Sequence, residues 1–168
     1  MASTYEAYLL SLIAPMAVPV TVIPTSTTAQ GTPSVGSTET FDAVLGYYQC
    51  NLIAGRRYMA IMNGLVGNCG TAGDIYFCNI RNSGSSSNPT AASTLVAQQQ
   101  WTSQSIGTAS RLAIPLAGTF IAPTTGLNTF GFSSQKNSGT GSFTPECPAQ
   151  TGVGVGSREL FVMYLGIV

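Results

Sequence analysis

The chain has 168 residues, 44% of them hydrophobic and 7% charged, with six basic and six acidic side chains and no histidine. That length holds one domain with a real core, and this apolar content excludes a disordered chain. Zero net charge excludes a basic surface for a nucleic-acid backbone, and the missing histidine removes the commonest general base, the usual zinc ligand and the Ser-His and Cys-His hydrolase arrangements.

The chain opens "MASTYEAYLLSLIAPMAVPVTVIP". No Lys or Arg precedes the apolar run, and Glu6 stands where a signal peptide carries positive charge. Pro15, Pro19 and Pro24 interrupt the run, so neither a leader nor a membrane span is expected. The spacing predicts a short helix over Thr4–Ile13, with Tyr5, Leu9 and Leu12 on one face and Ser3 or Thr4 as cap. An extended arm follows, carrying Val18, Val20 and Val22. Residues 25–38, "TSTTAQGTPSVGST", read as a linker. The predicted division is therefore 1–38 for helix, arm and linker, and 39–168 for the head.

The head reads as short β segments: 43–53, 56–66, 74–81, 94–103, 110–122, 127–135 and 157–168. Gly/Pro-rich turns between them argue for an all-β sandwich or barrel. In "RRYMAIMNG", Tyr58, Ala60 and Met62 point one way, and Met59 and Ile61 the other. In "DIYFCNI", Ile75 and Phe77 oppose Tyr76, Cys78 and Ile80. "ELFVMYLG" places Phe161 and Met163 in the same kind of strand. Both faces are apolar. One fills the core, and a neighbouring subunit is the natural cover for the other.

"GLVGNCGTAGD" has glycine at 64, 67, 70 and 73. A phosphate-binding loop needs Lys and Ser/Thr after its last glycine, and a helix beyond. Asp74 and the strand-like "IYF" follow instead. Collagen needs more repeats and more proline. The run is expected to turn the chain between strands and to let backbones approach. Trp101, the only tryptophan, would be the stacking platform of a glycan site.

No two of Cys50, Cys69, Cys78 and Cys147 have C-x-x-C spacing, so no metal site is expected. Cys50 and Cys78 lie in predicted strands as small core residues. Cys69 and Cys147 lie in loops and are the candidate disulfide, with three two-bridge connectivities open. The acids Glu6, Glu39, Asp42, Asp74, Glu146 and Glu159 form no recognisable pair motif, so no enzyme and no cofactor is expected.

"NLIAGRRYMAIMNGLVGNCGTAGDIYFCNIR" (51–81), "GTFIAPTTGLNTFGFSSQKNSGTGSF" (118–143) and "SRELFVMYLG" (157–166) together resemble virion proteins of tailed phages of actinobacteria. The anchors are Gly55, Arg56, Arg57, Tyr58, Gly73, Asp74, Arg158, Glu159, Leu160, Leu165 and Gly166. The resemblance implies a trimeric jelly roll, similar in shape to tumour-necrosis-factor and C1q heads, used in head decoration or at tail tips. Arg56 or Arg158 with Asp74 is the candidate ion pair, against a solvated charge.

Three functions follow as expectations. The first is a homotrimeric decoration protein, assembled in the host cytoplasm, docked on the major capsid protein through Tyr5, Leu9, Leu12, Val18, Val20 and Val22. Tyr58, Met62, Phe161 and Met163 would then be its trimer or core strand residues. The second is a tail-tip module binding a host-surface glycan. The third is a β-sandwich hydrolase with two carboxylates. None of the three calls for nucleic acid or a membrane as partner.

Overall fold

Apolar residues at every second position, with turn residues between runs, can hide their side chains only by pairing strands into sheets and stacking the sheets. The computed structural model describes residues 18–22, 29–30, 36–41, 47–69, 71–103, 112–147 and 158–167, and they contain strands and no helix. The strands are β1 (Val18–Val22), β2 (Ala29–Gln30), β3 (Thr40–Phe41), β4 (Tyr47–Leu52), β5 (Arg56–Asn63), β6 (Val66–Cys69), β7 (Ile75–Asn82), β8 (Thr94–Thr102), β9 (Leu112–Ala113), β10 (Leu116–Ile121), β11 (Gly126–Ser138), β12 (Phe143–Cys147) and β13 (Arg158–Ile167). The predicted helix over Thr4–Ile13 lies outside the described residues.

Every ladder is antiparallel. The first sheet runs β1-β13-β5-β10 and the second β3-β11-β7-β8, with β4 also on β11. A third sheet of shorter strands runs β2-β12-β6-β9. The pairings are nested: β1 with β13, β4 with β11, β5 with β10, β7 with β8. Nested antiparallel pairs distributed over two facing sheets define a jelly roll. The described residues are all-β, as composition and alternation predicted for the head.

The first sheet sets its core in rows. Leu160, Met62 and Leu116 are in register and buried. Val162, Ala60 and Gly118 form the next row, then Tyr164, Tyr58 and Phe120. At Gly118 the sheets nearly touch, because a Cβ there would run into the Val96 carbonyl and Ala97 of β8. Aromatic clusters fill both ends. Tyr58 stacks with Phe120 at 5.9 Å between ring centroids. Trp101 and Phe143 sit 5.1 Å apart, and Tyr76 and Phe143 4.9 Å.

The glycine run behaves as strand punctuation. Gly64 (φ 80°) turns the chain between β5 and β6, and Gly73 (φ 83°) between β6 and β7. Gly67 serves packing instead. A Cβ there would sit 2.6 Å from both Trp101 and Phe143. Gly70 lies outside the described residues.

Two segments differ from expectation. Val18–Val22, expected in a free arm, pairs along β13 from Val18↔Val162 to Val22↔Arg158. This part of the 1–38 segment is an edge strand of the head. The predicted strand 110–122 is divided into β9 and β10 around Ile114 and Pro115.

Candidate assembly interface

The two large sheets differ in how their outer side chains are partnered. On β13, β5 and β10 the residues between the core rows face outward. Phe161, Ile61 and Ala117 form one outer row, and Met163, Met59 and Thr119 the next. Phe161, Ile61, Met163 and Met59 are half-buried. Ile121 and Leu165, at the end of these rows, are 49% and 46% exposed. No side chain in these two rows is charged. Exposed Arg57, opposite Ile121, and Asn63 lie beyond the two rows, and the rows themselves are the kind of patch that marks a protein contact.

The outer face of the second sheet carries half-buried Tyr47 and Phe77 and exposed Leu127, but its centre is a polar cluster closed upon itself. Glu39, just before β3, lies over β7 and β11. Its Oε2 pairs with Arg81 Nη2 at 2.9 Å, and its Oε1 accepts from Arg81 Nε at 2.9 Å and Asn79 Nδ2 at 3.0 Å. Ser133 Oγ donates to the same Oε1. Gln98 donates to Asn79 Oδ1 at 3.0 Å, and Arg81 Nη1 to the Ser93 carbonyl at 2.9 Å. Burial pushes the Glu39 carboxyl up, but the hydrogen bonds and charge of Arg81, with Ser133 and Asn79, outweigh it and hold the carboxyl low. Further along this face, Gln49 donates to Thr129 Oγ1 and the Ser86 carbonyl at 3.1 Å each. These groups are spent on one another.

A thiol, a carboxylate and a phenol meet near the third sheet. Asp74 is 3% exposed and accepts from the backbone N–H of Gly141 at 2.6 Å and of Thr140 at 3.3 Å. Tyr76 Oη lies 3.2 Å from Asp74 Oδ2 and 2.9 Å from the Gly141 carbonyl. Cys69 Sγ is 3.6 Å from that hydroxyl. Burial, then Cys69 and Asp74, push the Tyr76 hydroxyl far up. A Cβ on Gly141 would stand 2.7 Å from the Asp74 carboxylate. The cluster clamps the turn at residues 139–141 to β7. Burial also pushes the Cys50 thiol up to about 11, and raises Cys78 further. Such thiols are poor nucleophiles.

The predicted site residues fall as follows. Tyr58 and Met62 are core, while Phe161 and Met163 are on the outer face. The expected pair of Arg56 with Asp74 does not form. Asp74 is taken by loop N–H groups, and Arg56 lies 5.2 Å over the Tyr164 ring. Only the backbone of Arg158 is described. Among the described residues the ion pair is Arg81 with Glu39, which sequence reasoning missed because 42 positions separate them. The Cys69–Cys147 disulfide is likewise corrected. Cys69 is a free thiol. Phe143 stands opposite Cys69, and Cys147 is four residues further along β12, about 13 Å away at the usual strand rise and beyond bridging reach. Trp101 is 4% exposed and serves the core. Tyr5, Leu9 and Leu12 lie outside the described residues. Val18, Val20 and Val22 are placed by their backbone alone.

No family model matches the chain, and no curated protein matches it. Solved structures resemble it distantly. The xylanase 10B CBM22-1–GH10 modules of Clostridium thermocellum show 11% identity and a TM-score of 0.41, over 89% of this chain and 25% of that one. The VP2 subviral particle of infectious bursal disease virus shows 13% and 0.38, over 90% and 38%. The structure of that virus's Gx strain shows 12% and 0.39, over 90% and 37%. This chain thus spans a quarter to under two fifths of each, and likeness at this level carries no functional argument.

Proposed function

We propose that the protein is a structural subunit of a phage particle: a homotrimeric jelly-roll head that decorates the outer face of the capsid, bound to the major capsid protein and assembled in the host cytoplasm. The observation that supports this most is the contrast between the two outer faces. On the second sheet the polar side chains around Glu39 satisfy one another. The first leaves Phe161, Met163, Met59 and Ile61 half-covered in uncharged rows. Burying each such side chain contributes roughly 1.5–3 kcal/mol before association entropy is subtracted. A chain of zero net charge does not repel its own copies at that face. The resemblance of 51–81, 118–143 and 157–166 to virion proteins supports the particle setting.

The feature that favoured a glycan-binding tip is spent in the core, because Trp101 is buried against Tyr76 and Phe143. Gel densitometry of virions of the phage that carries this chain tests the assignment. Decoration requires many copies per particle, in multiples of three, removed together with the shell. A handful of copies that travel with the tail would overturn it.

A further inference from the structure

Strand β8 ends the second sheet, with β7 on one side. Among the described residues no strand pairs with its other side. Natural edge strands are guarded by charge, proline or a bulge. "TLVAQQQWT" (94–102) has neither charge nor proline. It has one bulge, where Ala97 opposes Ile80 and Leu95 opposes Arg81. Gly118 of β10 packs against the Val96 carbonyl there, so the first part of the strand is covered. Among the described residues nothing guards the second part, and Gln98, Gln99 and Gln100 are all exposed.

The backbone direction follows from the strand's end. Ser103 N donates to the Asp74 carbonyl at 2.9 Å, and Gly73 N donates to the Ser103 carbonyl at 2.8 Å. With period two, Trp101 and Gln99 also turn their backbone groups toward β7, and Gln98, Gln100 and Thr102 turn theirs outward. The Gln99 side chain donates to the Gln100 carbonyl at 3.1 Å, standing in for a missing strand partner.

We infer that this edge pairs antiparallel with the same edge of a second copy, about a two-fold axis through Gln99. The stretch is self-complementary. That register sets Gln98 of each copy opposite Gln100 of the other, and glutamine amides both donate and accept. Zero charge in the strand removes the repulsion that keeps edges apart. A charged peptide would find no counter-charge here, which is why the occupant is another copy. The contact uses a different surface from the outer face of the first sheet and stands or falls separately.

Cross-linking of the full chain tests it. In a non-hydrogen-bonded antiparallel pair, opposed Cα atoms are about 4.5 Å apart, within disulfide range. Gln99→Cys should therefore form a reducible covalent dimer under mild oxidation. It should do so about tenfold or more faster than Leu95→Cys, which lies off the axis, or the unmodified chain. Adding Gln98→Lys and Gln100→Lys to Gln99→Cys sets like charges opposite each other and should abolish the cross-link. Gln98→Lys with Gln100→Glu should restore it. All these positions are exposed, and circular dichroism checks that each variant is folded. Cross-linking no faster than Leu95→Cys, or unaffected by the two lysines, overturns the pairing.

Discussion

Gly67 shows how one missing side chain can organise an aromatic cluster. Its Cα lies against Trp101 and Phe143, and an added Cβ would come within 2.7 Å of either ring. Gly67→Ala should cost about 1–3 kcal/mol in chemical denaturation, the usual cost of overpacking, and should change the emission of the single tryptophan. Glu39 and Arg81 act at the same scale. Their side chains are 5% and 17% exposed, so removing one leaves the other poorly solvated. Arg81→Ala should destabilise the fold by about 3 kcal/mol. Because the folded state holds the Glu39 carboxyl below its ordinary 4.5, its contribution is full above that pH and is lost as pH falls through the lowered value. Denaturation midpoints of the parent should therefore drop on acidification below that pH, and those of Glu39→Gln should drop less. The residue scale was only half legible in the sequence. The turn role of Gly64 and Gly73 could be read from composition, since glycine admits positive φ. The partners of Asp74 could not, because backbone N–H groups 66 and 67 positions away leave no mark in side-chain identity.

At the scale of elements, β5, β7, β8, β11 and β13 were readable because strong alternation or a β-branched and aromatic run marks each one. The segment 143–147 was not, since Pro145 discourages a strand reading, yet β12 pairs Pro145 with Gly67. The role of β1 was hidden for a different reason. Prolines and apolar residues read as an arm, and its partner β13 lies at the far end of the sequence. Register also decided the cysteines. With Phe143 opposite Cys69, no strand slip short of four residues could bring Cys147 near. Alkylation of the unreduced, denatured protein followed by peptide mapping should find Cys69 free, and a peptide joined to Cys147 would contradict the register of β12 on β6.

For the whole molecule, the account rests on an asymmetry between two faces of one sandwich. Glu39, Arg81, Asn79 and Ser133 close the second sheet's outer face, while Phe161, Ile61, Met163 and Met59 leave the first sheet's face open. Met163 lies opposite Met59, half-buried and away from the core row of Tyr164 and Tyr58. A charge placed there meets solvent in the isolated head and an apolar neighbour in the assembly. The most direct measurement is the solution mass of the full chain by light scattering at micromolar concentration, for the parent and Met163→Asp side by side. The account predicts a parent whose mass is three times the 17.4 kDa chain mass, or a multiple of that where trimers join through β8, and a Met163→Asp variant that is smaller yet keeps the parent's circular dichroism. A folded monomeric parent, or a Met163→Asp variant that stays trimeric, would contradict it.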